Sequence, residues 1–98
     1  MTRKEFITDI EKTYKVALEI LKKKNQDYAT ELNPFANFDK SIIVGVEPTR
    51  AILVRVMDKI SRISILLSKD PSVVDESIMD SICDTINYMA ILKAKLKK

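Results

Sequence analysis

The sequence predicts an all-α fold, a small bundle of three long helices and one short helix. Three observations point there. A single glycine and three prolines in 98 residues leave few turn signals for a sheet of short strands. Apolar residues recur at helical rather than alternating spacing along three long segments. Asn33-Pro34 and Asp70-Pro71 punctuate the chain between them. Residues 1–98 read as one domain, and a 46% hydrophobic content allows only a small core at this length. Small helical domains often complete such a core by oligomerising, which is the expectation here.

The first helix is expected over residues 2–24. Thr2-Arg3-Lys4-Glu5 fits an S/T-x-x-E capping box, and Phe6, Ile10, Tyr14, Ala17, Leu18 and Leu21 form a stripe expected to be buried. Lys22, Lys23 and Lys24 fall in its last turn, where they suit the negative end of the helix dipole. The polar stretch 25–33 reads as a break. Asn33 then serves as N-cap and Pro34 as first residue of a short helix that turns Phe35, Phe38, Ile42 and Ile43 inward and ends at Gly45. Phe35 and Phe38 read as core rather than as stacking platforms.

A third helix spans about Pro48 to Lys69. Its broad apolar side carries Ile52, Leu53, Val56, Met57, Ile60, Ile63 and Leu67, opposite a charged stripe of Arg55, Asp58, Lys59 and Arg62. Asp58 lies at i+3 from Arg55 and i−4 from Arg62, which lets all three touch, either as ordinary exposed ion pairs or as a carboxylate facing the fourth helix with cations for phosphate beside it. The fourth helix starts at Asp75 as N-cap and runs close to the C-terminus, with Cys83 at the edge of the core.

The fourth helix poses the functional question. Glu76, Asp80, Asp84 and Asn87 are spaced four, four and three apart. On a helix they share an arc of roughly 80°, with Ile78, Ile82, Met89 and Leu96 roughly opposite. From Asp70 to Tyr88 there are five carboxylates and no Lys or Arg, in a chain of net charge +3. Such a row either faces water or holds a hard cation. Carboxylates at i and i+4 can converge on one Mg²⁺, which takes one or two of them plus substrate phosphates. Repulsion between them costs only a few tenths of a kcal/mol per pair, so spacing alone leaves both open.

Composition excludes much else. Without histidine there is no Ser-His-Asp or Cys-His catalysis and no histidine-bound metal. One cysteine gives no intrachain disulfide and no thiolate zinc site, and one glycine gives no Walker A loop. No run approaches the roughly 18 apolar residues of a membrane span, and the N-terminus opens with charge, so a cytoplasmic chain is expected. Nucleic acid is not an expected partner. The lysine clusters have no reading helix beside them, and the acidic row would repel phosphate backbones. In the stretch Lys22 to Tyr28, Lys24, Asn25, Asp27 and Tyr28 could contact a nucleotide's base, sugar or phosphate. Turn chemistry accounts for Asn25 and Asp27 equally well.

The segments KNQDY, NPFANF, RVMDKISR and DESIMDSICDTINY, in that order, resemble the nucleotide-modification-associated domain family of bacteria and phages. That family is similar to the MazG-like all-α nucleoside triphosphate pyrophosphohydrolases. Glu76, Asp80 and Asn87 match the second acidic element of the MazG pattern, a Glu one turn before an Asp with an Asn seven residues on. The first element departs: Asp58 stands among Arg55, Lys59 and Arg62 where MazG-like chains carry two or more glutamates. The resemblance implies Mg²⁺-dependent hydrolysis of a nucleoside triphosphate to monophosphate and pyrophosphate, with Mn²⁺ as a substitute ion. It implies Asp58, Glu76, Asp80 and Asp84 as metal ligands, and Glu76, Asp80 and Asp84 as the catalytic carboxylates. Lys24, Asn25, Asp27, Tyr28, Arg55, Lys59, Arg62 and Asn87 are the substrate contacts, in a homodimer or homotetramer. The alternative is a non-catalytic nucleotide-binding or phage accessory module on the same scaffold.

Overall fold

A computed structural model describes residues 1–28, 32–69 and 76–97, with the side chains of Asp27, Tyr28 and Glu76 outside the described set. The elements are α1 (Arg3–Tyr28), α2 (Ala36–Asp39) followed by a 3-10 turn (Lys40–Val44), α3 (Pro48–Leu67) and α4 (Glu76–Leu96). The described residues contain no strand, as the turn-poor composition predicts. No described helix is long and apolar enough to cross a membrane.

α4 is the middle helix. α1 and α3 make their principal contacts with it rather than with each other, and α2 packs on α3. Ala17 of α1, Phe38 of α2, Ile52 and Val56 of α3, and Ile78 and Cys83 of α4 form the buried apolar core. Ile52 is fully enclosed, and its removal to Ala would cost about 3 kcal/mol in lost burial and cavity formation. The core is small for the chain. Large hydrophobics on the outer sides of α1 and α3 lie open, among them Phe6, Tyr14 and Leu18, and Leu53, Met57, Ile60 and Leu67. These seven were expected inside. A helix of 26 residues is roughly 39 Å long, and only the C-terminal half of α1 brings a buried residue, Ala17, against α4.

Local chemistry explains the ends. Thr2 Oγ1 accepts the Glu5 amide at 3.1 Å, the forward half of the capping box. α1 does not stop at Lys24 but continues to Tyr28, because Asn, Gln and Asp disfavour a helix only weakly and no Gly or Pro intervenes. The three lysines therefore lie outside its last turn, and the dipole account of them fails. Asn33 accepts the Phe35 amide through Oδ1 at 3.0 Å, so its cap acts one residue before the turn that precedes α2. Gly45 ends the 3-10 turn at φ 76°. A Cβ there would meet no atom within 4 Å, so it is the left-handed backbone that asks for glycine. Ile42 and Ile43 are exposed, contrary to expectation, with Val44 beside them. The turn runs at three residues per repeat instead of 3.6, and the inward direction set by Phe38 is lost beyond Asp39. Asp75 and the Asp70-Pro71 break lie outside the described residues.

Candidate nucleotide site

The middle position of α4 turns its acidic row inward. Asp84 and Asn87 are each 8% exposed and Ser81 is 2% exposed, while Asp80 remains open to solvent. The row therefore neither faces water as a whole nor lies opposite the core. α4 is covered on two sides, so residues about 180° apart on it, Ile78 and Asn87, are both buried. Met89 and Leu96, expected on the buried side, are exposed.

Asp84 is held by a lysine from each flanking helix. Lys24 of α1 donates to Oδ1 at 2.8 Å, and Lys59 of α3 lies 3.0 Å from Oδ2. Burial pushes the Asp84 carboxyl up, but the two ammonium groups outweigh it and hold the group below the usual carboxylate range. Lys24 is held above the ordinary lysine value by its hydrogen bond to Asp84, against a smaller opposing effect of burial. Asn87 donates to the Ala17 carbonyl at 2.9 Å, tying α4 to α1. One N–H of its carboxamide is thus spent on the fold. Asn25 is similarly engaged, donating to the Pro34 carbonyl at 3.0 Å.

Three hollows adjoin this pair. A polar cavity of about 340 Å³ is walled by Lys24, Lys59, Arg62, Ser77, Ser81, Asp80 and Asp84, with Ile20 at its side. Among the described side chains, three cations there meet two carboxylates. A larger cavity of about 420 Å³ shares Lys24 and Asp84 with the first and is lined mainly by apolar, aromatic and amide groups. Leu21, Phe38, Tyr88 and Ile91 form its apolar wall, and Asn25, Asn37 and Asn87 bring carboxamides. A third, more open hollow, the most voluminous of the three at about 530 Å³, holds Asp58 with Arg55, Lys59 and Arg62.

The structure thus brings Lys24, Lys59, Arg62, Asp80 and Asp84 together and places Asn25, Arg55 and Asn87 around the larger cavity. Asp58 is not in the polar cavity. The ion pairs of Asp58 with Arg55 and Arg62 that the spacing allows are absent among the described residues, where the ion pairs of Asp84 and Asp39 are the long-range ones. The Glu76, Asp27 and Tyr28 side chains lie outside the described set. Residues not singled out from the sequence are Asn37 and Tyr88 in the larger cavity and Ser77 and Ser81 in the polar one, while Phe38, expected in the core, is buried and also lines the larger cavity. The signal for Tyr88, Ser81 and Ser77 was their spacing of four, three and seven from Asp84 on one helix.

Among the described residues, no three acidic or cysteine side chains converge as a metal cage. Both Asp84 oxygens are engaged by ammonium groups, which leaves Asp80 as the open carboxylate in the polar cavity. A hard divalent cation that keeps its waters and shares substrate phosphates needs only one or two protein carboxylates. Asp80 fits that demand, and Glu76 precedes it by one helical turn. No family model, no curated protein and no solved structure matches this chain. The class defined by its own coordinates is an all-α bundle with a two-chambered site, one chamber cationic and one aromatic, divided by a buried carboxylate.

Proposed function

We propose that the chain is a nucleotide-binding domain that hydrolyses a nucleoside triphosphate to the monophosphate and pyrophosphate with Mg²⁺, or Mn²⁺ in its place. The observation that carries this reading is the junction of the two cavities at Lys24 and Asp84. A ligand with a flat heterocycle at one end and a polyanion at the other matches a chamber walled by Phe38 and Tyr88 that lies beside one walled by Lys24, Lys59 and Arg62, with Lys24 and Asp84 common to both. The ordered resemblance to nucleotide-modification-associated and MazG-like domains agrees with it.

In this reading the phosphates lie along the polar cavity, offset by Lys24, Lys59 and Arg62. Asp84 is a positioning residue that holds the two lysines by their ammonium groups, and its lowered proton affinity makes it a poor general base. Asp80, with Glu76 one helical turn before it in the sequence, would hold the cation, whose chemistry when bound would be to screen phosphate charge and acidify water. The bond formed joins water oxygen to the α-phosphorus, the α–β bridging bond breaks, and pyrophosphate leaves. A carboxylate of the Glu76–Asp80 pair takes the proton of the attacking water. The cytoplasm, where triphosphates are abundant and a free thiol such as Cys83 persists, is the setting we assign.

One observation favours a second reading. Among the described side chains Asp80 is the one open carboxylate of the polar cavity, which suits a sensor that binds nucleotide without turning it over. Incubation of the purified chain with each common NTP and dNTP plus Mg²⁺ or Mn²⁺, assaying monophosphate and pyrophosphate, separates the two. We expect turnover of at least one triphosphate. No turnover across the panel, with binding retained in calorimetry, establishes the sensor.

We also propose that the chain works as a homodimer or homotetramer. The amphipathic stripe of Phe6, Tyr14 and Leu18 is periodic by design of the sequence yet uncovered in one copy, and a second copy of the chain is the partner always present at equal concentration. Sedimentation should show a species larger than 11.2 kDa, reduced to monomer by Phe6→Lys with Tyr14→Lys. A monomer for the unaltered chain rejects this assembly.

A further inference from the structure

The larger cavity contains three carboxamides, and two of them each spend an N–H on the fold. Asn25 donates to the Pro34 carbonyl and Asn87 to the Ala17 carbonyl. Asn37, half-buried in the same wall, makes no side-chain hydrogen bond among the described residues. Its position is firmly held. α2 is pinned at its start by the Asn33 turn and at its end by Asp39, which accepts from Asn33 at 3.0 Å and from Lys95 at 2.9 Å. Beside it, Phe38 meets Tyr88 edge to face, with ring centroids 6.1 Å apart and planes at 87°. That geometry leaves an aromatic surface next to an unspent amide. Partly buried polar groups that the protein itself does not satisfy are satisfied by ligand or water.

Resting on the nucleotide reading above, we propose that Asn37 is the specificity-determining residue for the base. Its carboxamide offers a donor and an acceptor side by side, which pairs with the adjacent donor and acceptor on a base edge, as asparagine does with adenine. The base lies in the larger cavity against Phe38 and Tyr88, and the phosphates pass Lys24 into the polar cavity.

Binding without turnover tests this. Calorimetry on the full chain with Mg²⁺ would use the four α,β-methylene nucleoside triphosphates, which resist cleavage at that bond, and inorganic tripolyphosphate as a base-free probe. The best nucleotide should bind at least about tenfold tighter than tripolyphosphate, the discrimination of one good bidentate pair. Asn37→Ala should remove most of that advantage while leaving tripolyphosphate binding and the melting midpoint in place. Asn37→Asp, an acceptor only, should re-rank the nucleotides toward guanine, whose edge offers two adjacent donors. Equal binding of tripolyphosphate and all four nucleotides, or a ranking that neither variant alters, overturns the role of Asn37 and leaves the phosphate site standing. Binding of neither nucleotide nor tripolyphosphate overturns the nucleotide reading and this inference with it.

Discussion

Two carboxylates in this small bundle receive lysines from distant parts of the chain, Asp84 on α4 and Asp39 at the end of α2. Asp39 belongs to a closed, balanced cluster: one carboxylate, one ammonium from Lys95, an amide from Asn33, and the Phe35 ring 4.9 Å beneath that ammonium. Neither Asp39 nor Lys95 lines any of the three cavities described. Asp84 takes two ammonium groups where one would neutralise it, is the more buried of the two, and stands where two cavities meet. An ion pair that only tethers elements needs matched charge and no adjoining space. Excess cation beside open volume is the arrangement that prepares a place for an anion.

The contrast can be broken first at the chemistry. Asp80→Asn should lower triphosphate turnover by about 100-fold or more, in the range of lost acid–base or metal-ligating function, with the melting midpoint unchanged because Asp80 is exposed. Turnover that survives this change would remove Asp80 from the reaction. The next largest effect belongs to Asp84. Asp84→Ala removes the carboxylate that two partly exposed lysines share and should cost about 2 kcal/mol in urea unfolding, with nucleotide affinity falling as the lysines lose their anchor. Asp39→Asn keeps the hydrogen bond from Asn33 within reach of an amide oxygen and should cost about 1 kcal/mol or less, with nucleotide affinity intact. Equal costs for the two variants would erase the distinction.

The pH dependence is smaller and separates the same groups. Asp39 is held below the usual carboxylate range by its hydrogen bonds from Asn33 and then Lys95, and Asp84 by its two lysines against its burial. A carboxyl with a lowered folded value contributes stability that is complete above the unfolded value of about 3.9 and lost as pH falls through the folded value. Stability should therefore decline below about pH 4, and the decline should be shallower in Asp84→Asn. Lys24 has the opposite sign. Its raised value contributes stability that is complete below about pH 10.5 and lost as pH rises through the folded value. Thermal melts across both limbs measure this, and an acid limb unchanged by Asp84→Asn would show the pair contributes nothing.

Much of the architecture was legible in the residues. The long helices follow from apolar periodicity, the first cap from Thr2 and Glu5, and the end of the 3-10 turn from Gly45. The candidate site was legible as a row of carboxylates but not as the cluster they join. Spacing places Lys24 near a helix end and Lys59 in a charged stripe, and the family resemblance makes both substrate contacts, but neither shows their pairing with Asp84, because each finds that partner only through packing. Lys24 and Asp84 are 60 residues apart in the chain. Asn37 had no pattern of its own to distinguish it within NPFANF.

Sequence by itself determined that the chain is helical and that Glu76, Asp80 and Asp84 carry one sign on successive turns. Periodicity states the angle between side chains on one helix and nothing about how many neighbours that helix has. Only the tertiary structure decided that α4 lies between α1 and α3. That position buries Asp84 and Asn87 with Ile78, leaves Phe6, Met57 and Leu96 outside, and places two lysines on one carboxylate between two cavities.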